Sequence, residues 1–189
     1  MTKSIVFRMD WLSLIIYLLL IIFGIINIYS TTLSDATVAL FDLSSPAGKQ
    51  FWIFIFSLIF LPIILFINSN FFEHLSLIFY ILSILSLLGL FFFGQKISGA
   101  TSWYFIGGFS LQPSEFAKIT TSLLVASTLS SIQADIKKIA FITKLLLIIG
   151  LPVILVIFQP DAGSALVFLG LFFVLLREGM DMKTLYFGM

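Results

Sequence analysis

Three runs without a charged residue constrain this chain more than any other feature: 11–34, 50–72 and, with His74 set aside, 74–95. About 20 apolar residues in a helix cross the roughly 30 Å hydrocarbon layer of a bilayer. Each of the three runs is long enough to do so, and they crowd into the first half of the chain. Charged residues make up 10% of the sequence and hydrophobic ones 60%, whereas a soluble domain carries about 25% charged residues. A water-soluble fold is excluded, and the class is an all-α polytopic integral membrane protein.

The same composition excludes several functions. Net charge is +1 with no basic stripe, so nucleic acid is not an expected partner. The absence of cysteine rules out disulfides and thiolate chemistry. No metal-ligand cluster, nucleotide loop or serine–histidine–acid arrangement is present. Lys3 and Arg8 before the first apolar run give it the look of a signal peptide. Its apolar part is too long for one, and no small-x-small cleavage pattern follows at 27–34, so it reads as a retained span.

Six transmembrane helices are predicted, at about 11–31, 51–69, 75–93, 113–131, 139–157 and 162–177. Lys3 and Arg8 place the amino terminus in the cytoplasm by the weight of basic residues in short flanks. The segment 30–50, with Asp35, Asp42 and Pro46, reads as an external loop. Asn68, Ser69, Asn70, Glu73 and His74 read as a tight turn, which makes helices two and three antiparallel neighbours. His74 has no ligand partner at useful spacing and reads as a lone turn histidine. The loop 94–111 then falls outside. The cluster Lys137, Lys138 and Lys144, near Gln133 and Asp135, returns to the cytoplasmic side and agrees with the first assignment. Arg177, Glu178, Asp181 and Lys183 bring the chain back once more, so both ends are cytoplasmic. The closing residues 185–189 read as the opening of another apolar segment, and further sequence is expected beyond them.

Between the apolar runs lies the polar stretch Gly94–Lys118, GQKISGATSWYFIGGFSLQPSEFAK. Pro113 marks a helix start, since a first-turn proline forfeits no helical hydrogen bond. Glu115 falls where free N–H groups favour an anion, and Lys118, three residues on, shares its face. Neither charge is comfortable alone in hydrocarbon. They form either a structural ion pair near the interface or the lining of a hydrated cavity that receives a charged headgroup, and the two roles are compatible. Gln159-Pro160-Asp161 repeats the grammar of Gln112-Pro113-Ser114-Glu115, which places both acids at one depth near the outer face. Plain capping explains this repeat as well as function does. Gly163 with Ala162, Ser164 and Ala165 gives helix six a small-residue face for close packing. Ser122, Ser127 and Thr128 read as helix-to-helix polar contacts. Trp103 and Tyr104 read as interface anchors or as a wall over a headgroup site.

These residues carry a resemblance. Gly99-Ala100-x-x-Trp103, Gly107 and Gln112-Pro113-Ser114-Glu115-x-x-Lys118, followed by Gln159-Pro160-Asp161-x-Gly163, resemble the SEDS family of RodA, FtsW and SpoVE. The likeness covers essentially the whole chain and leans toward the RodA-like, elongation branch. It implies the first part of a ten-span fold in the cytoplasmic (inner) membrane. It further implies a peptidoglycan glycosyltransferase that polymerises undecaprenyl-linked lipid II, in membrane lipid, beside a class B penicillin-binding protein. Glu115 and Lys118 would be paired charges of the central cavity, Gln112 and Pro113 would position that helix start, and Asp161 would shape the outer end of the bundle. The family's proposed catalytic aspartate follows the seventh span, so no catalytic residue is assigned within this chain. No cofactor is expected here, although a divalent cation would suit the diphosphate leaving group of the complete enzyme. Ser102 stands where many relatives have arginine. Two other classes remain open: a non-catalytic membrane scaffold for a penicillin-binding protein, and a small transporter, which calls for inverted, broken helices.

Overall fold

The computed structural model describes residues 10–32, 42–43, 45–97, 99–106, 109–131, 135–136 and 138–180. The expectations placed on Lys3, Arg8, Asp35, Gly107, Gln133, Lys137, Asp181, Lys183 and 185–189 lie outside them. The chain divides into two compact units, Met1–Ile67 and Asn68–Met189.

The first unit holds α1 (Trp11–Thr32) and α2 (Pro46–Phe66), which pack on each other. Asp10 caps α1, accepting from the Ser13 N–H at 3.2 Å and the Ser13 hydroxyl at 2.6 Å. Those two bonds hold the Asp10 carboxyl below its ordinary range. Helix α2 starts five residues before the expected 51. Ser45 accepts from the Gly48 N–H at 2.9 Å, and Pro46 occupies the first helical position. A serine cap followed by proline is a strong start signal, and the apolar-run argument passed over it. Most side chains of both helices are exposed, large apolar ones included.

The second unit holds α3 (Ser69–Phe93), a three-stranded antiparallel sheet of β1 (Gln95–Ile97), β2 (Ala100–Ile106) and β3 (Phe109–Leu111), and then α4 (Pro113–Ser130), α5 (Ile139–Phe158) and α6 (Ala162–Arg177). Two expectations need correcting. Helix α3 begins at Ser69 rather than 75, because Asn68 accepts from the Asn70 N–H and caps it. Glu73 and His74 are therefore helical, and the His74 ring Nδ1 meets the Asn70 carbonyl at 2.6 Å. The stretch expected to be a loop, 94–111, holds the three strands among its described residues. Gly99, at φ +91°, turns β1 into β2, and β3 pairs with β2 through Tyr104–Leu111 and Ile106–Phe109.

Among the described residues four helices are long and apolar enough to cross a membrane: α1, α2, α3 and α5. Helix α6 is apolar but has only 16 residues, and α4 carries Glu115 and Lys118. In the second unit, buried positions recur at alternating three- and four-residue steps. They are Ser76, Tyr80, Ser83, Leu87 and Leu90 on α3, and Ile142, Leu145, Ile149, Pro152 and Val156 on α5. Helix α4 buries Ala117, Thr121, Leu124, Val125 and Thr128. This spacing puts the buried positions of each helix along one face, where it packs on its neighbours. The seams of α3 and α4 set serine, threonine and alanine among buried leucine, valine and tyrosine, and that of α5 is Ile, Leu, Pro and Val. The outward faces carry Phe, Leu and Ile, as at Phe92, which is 83% exposed. Hydroxyls and small residues within the seams, and an apolar exterior, suit lipid, where close packing and hydrogen bonds hold helices together.

Cross-helix hydrogen bonds fix the neighbours. The Tyr80 hydroxyl donates to the Ile148 carbonyl at 2.9 Å, joining α3 to α5. Ser83 and Thr120 hydroxyls meet at 2.8 Å, joining α3 to α4. Ser130, at the end of α4, donates to the Glu73 carboxylate near the start of α3 at 3.3 Å, so these helices are antiparallel. Of the three contacts expected between helices, only Ser127 reaches another helix, at 3.5 Å from the Glu73 carbonyl. Ser122 and Thr128 bond back to their own helix, at Lys118 and Leu124, a common choice for a hydroxyl inside a helix. Helix α6 stops at Arg177, as expected. Gly179, at φ +103°, lets the Met180 N–H reach the Leu175 carbonyl and its own N–H reach Leu176, a glycine-ended C-cap.

Candidate functional site

The polar chemistry of the second unit gathers where the sheet, the start of α4 and the turn from α5 to α6 meet. The two Gln-Pro motifs lie apart in sequence but touch here. Gln112 is the N-cap of α4, yet its side chain makes no cap bond. It reaches across instead, its Nε2 donating to the Asp161 carboxylate at 2.9 Å and contacting the Ser164 hydroxyl at 3.3 Å. Asp161 caps α6, accepting from the Ser164 N–H at 3.1 Å and the Ser164 hydroxyl at 2.8 Å. The Ser114 and Ser164 hydroxyls lie 3.4 Å apart.

Burial pushes the Asp161 carboxyl up, but the bonds from Ser164 and Gln112 outweigh it and leave the group below its ordinary value of 3.8. The buried Ser102 hydroxyl favours the same carboxylate without meeting the geometry of a formed hydrogen bond. Asp161 is therefore an anion at neutral pH, held by a helix N-terminus and by a neutral amide from α4.

The other residues of the second motif fasten the sheet. The Thr101 N–H donates to the Gln159 carbonyl at 3.2 Å. Gln159 is only 1% exposed and donates through Nε2 to the Leu87 carbonyl at 2.9 Å. Tyr104 donates its hydroxyl to the Ser86 carbonyl at 2.8 Å. Gly89 makes that seat available, since a Cβ there would lie 2.5 Å from the Tyr104 oxygen. The sheet is thus pinned to α3 and to the α5–α6 turn. Trp103 is partly exposed on β2, opposite Gln95, and alternation puts it on the other face from Ser102 and Tyr104.

Glu115 and Lys118 form the expected same-face pair, with Nζ to Oε1 at 2.7 Å. They stand apart from the Gln112–Asp161 network. The Glu115 side chain is 57% exposed and that of Lys118 20%. The lysine borders a shallow groove of about 400 Å³ with Ile119, Ser122 and Leu123. Pro113 is buried at the first turn of α4. Of the candidates, the structure joins Gln112 to Asp161 and Glu115 to Lys118, and it does not join the two pairs. The sequence reading missed the bridging parts played by Ser164, Gln159 and Ser114. Gln159 and Ser114 stand beside a proline already singled out, and Ser164 lies three residues past Asp161, where a capping acid meets the helix; those spacings were the available signal.

No three His, Cys, Asp or Glu side chains come together among the described residues. The Asp161 oxygens already accept from Gln112 and Ser164, so this junction does not suit a divalent cation.

A bundle with hydroxyl residues in its seams and a broad apolar exterior, closed at one end by a hydrogen-bonded cap, defines a multi-pass membrane protein. The chain belongs to the FtsW/RodA/SpoVE family, the SEDS proteins: the family model described as "Cell cycle protein" matches residues 10–188. Peptidoglycan glycosyltransferase RodA of Treponema pallidum is 34% identical over 169 residues, 88% of this chain and 37% of that protein. A probable peptidoglycan glycosyltransferase FtsW of Bacillus subtilis is 36% identical over 114 residues, 56% of this chain and 27% of that protein. A crystal structure of a variant of Thermus thermophilus rod shape determining protein RodA superposes with a TM-score of 0.75. The identity is 25%, and the match covers 95% of this chain and 57% of that one. A chain from a peptidoglycan synthase complex that coordinates polymerization and crosslinking superposes with a TM-score of 0.68 at 26% identity, covering 89% of this chain and 49% of that one. The chain therefore spans well under half the length of these curated relatives, 37% and 27%, and about half of the solved ones.

Proposed function

We propose that this chain is the amino-terminal part of a peptidoglycan glycosyltransferase of the RodA type, which polymerises lipid II at the outer face of the cytoplasmic membrane. The curated RodA and FtsW relatives carry that activity in their names. A class B penicillin-binding protein is the proposed partner, in keeping with the synthase complex among the similar structures. Helices α4 and α6 complete six spans with both ends cytoplasmic, and the sheet closes the outer end.

The observation that carries this reading is the exposed Glu115–Lys118 pair on a helix whose surroundings are apolar. A charge facing hydrocarbon is unfavourable by several kcal/mol, so this face belongs against water, a charged substrate or further protein. In the proposed enzyme the pair lines the cavity that receives the diphosphate-linked sugar. Lys118 supplies the cation nearest the phosphates and Glu115 holds it in place. The hydroxyl-activating base and any divalent cation lie outside this chain. A transporter is less well supported, because each described helix runs unbroken.

The test uses the complete reading frame that contains this chain, co-purified with its penicillin-binding protein and given lipid II. Glu115→Gln should slow polymerisation about tenfold or more, equivalent to about 1.4 kcal/mol, with insertion and partner binding unchanged. Normal polymerisation by that variant would remove the pair from the mechanism. Absence of polymerisation in the wild-type complex, with the partner still bound, would favour the scaffold.

A further inference from the structure

Helix α5 carries one charge within its apolar length, Lys144. It lies five residues past the helix start, roughly 7.5 Å along the axis at 1.5 Å per residue. Its ammonium makes no hydrogen bond or ion pair among the described residues, and the side chain is exposed. Asp135, nine residues earlier in the chain, lies 3.5 Å from Lys138. Beside Lys144 runs an open groove of about 400 Å³ between α3 and α5, walled by Tyr80, Ala140, Leu147, Ile148 and Leu151. Two hydroxyls border it, and both are satisfied by backbone carbonyls. Tyr80 donates to the Ile148 carbonyl at 2.9 Å and Thr143 to the Ile139 carbonyl at 2.9 Å. The groove is therefore an apolar trough about 10 Å long, from 144 to 151, with an uncommitted cation at one end.

We propose that this groove binds one anionic glycerophospholipid. An acyl chain lies along Leu147, Ile148 and Leu151, and the headgroup phosphate meets the Lys144 ammonium. A lysine near a helix end extends its charge toward the interface while its stem covers apolar surface, which brings the ammonium to phosphate depth. A zwitterionic lipid fills the same trough but brings its own cation, and no carboxylate among the described residues pairs with Lys144, which leaves the anionic lipid favoured. The leaflet, cytoplasmic, rests on the orientation proposed above. The binding itself does not depend on that orientation or on glycosyltransferase activity.

Native mass spectrometry of the complete protein that contains this chain, in detergent and titrated with phosphatidylglycerol and phosphatidylcholine of matched acyl chains, measures this directly. The wild type should retain one phosphatidylglycerol about fivefold more tightly than phosphatidylcholine, equivalent to about 1 kcal/mol for one basic residue at a membrane surface. Lys144→Gln should abolish the preference and Lys144→Arg should keep it. Leu147→Trp, at a position 68% exposed, should fill the trough and lose both lipids while leaving Lys144 in place. Equal retention of the two lipids by the wild type would overturn the proposal, as would an unchanged preference in Lys144→Gln. A chain that binds neither lipid but forms a dimer abolished by Leu147→Trp would assign the groove to a second copy instead.

Discussion

Removing Gln112 tests whether the two Gln-Pro motifs act as one unit. Gln112→Ala deletes a 2.9 Å hydrogen bond to an ionised carboxylate and a weaker 3.3 Å contact to Ser164. Bonds to charged groups are worth about 1.5–3 kcal/mol, while polar contacts measured between membrane helices average about 0.6. Asp161 also keeps its Ser164 partners when Gln112 is lost. The expected loss is therefore about 1.5 kcal/mol, at the low end of the charged range. Asp161→Ala removes the same link and the cap of α6, which adds about 1 kcal/mol, for about 2.5 in all. The double variant should be no worse than Asp161→Ala, because the link is already gone. Independent residues would instead give a loss of about 4 kcal/mol. Reversible unfolding in mixed detergent micelles, followed by circular dichroism, supplies the four stabilities. Additivity within about 0.5 kcal/mol would refute the claim that Gln112 and Asp161 stabilise the fold through each other.

The same carboxylate predicts a pH dependence. Its folded value lies below its ordinary 3.8, so its contribution is complete above the unfolded value and is lost only as pH falls through the folded one. Stability should be flat from pH 8 to 5 with respect to Asp161, and the difference between wild type and Asp161→Asn should shrink below pH 4. Gly89→Ala should destabilise the wild type, because the Tyr104 hydroxyl must leave its seat on Ser86. In a Tyr104→Phe background the ring carbon at 3.7 Å is an ordinary contact, so Gly89→Ala should there stabilise the helix by up to about 1 kcal/mol. Phe168 is the largest fully buried side chain of the second unit, and Phe168→Ala should cost about 3–5 kcal/mol. In the same unfolding assay, a loss under about 1 kcal/mol would mean that the seam around α6 collapses to fill the space.

Apolar-run length made the helices legible, and the proline and acid signals fixed the starts of α4 and α6 to the residue. Two other starts were lost for one reason. The apolar run of α2 begins after Ser45-Pro46, and that of α3 begins after Asn68. In both, a polar cap and a polar first turn precede the hydrophobic face and resemble loop when hydropathy alone is followed. The sheet was invisible because three-residue strands such as Gln95–Ile97 and Phe109–Leu111 are too short for alternation to register. What holds it is remote: a carbonyl at Gln159 and a glycine at 89. The spacing of Glu115 and Lys118 predicted their contact, since i and i+3 share a face. The link from Gln112 to Asp161 depends on how α4 and α6 meet, and no local pattern encodes that. Their shared grammar hinted at equal depth but not at a bond.

The hydroxyls within the buried seams also change how variation in this chain should be judged. Along its buried seams at Ser76, Ser83, Thr121 and Thr128, a change to leucine raises hydropathy and would look benign for a membrane protein. There it forces two backbones apart and removes a hydroxyl from between them. On the outward faces, an exchange of Phe92 for leucine changes little, because fluid lipid conforms to either shape. Harmful alleles should therefore include those that enlarge a small buried residue, and hydrophobicity by itself will rank these in the wrong order.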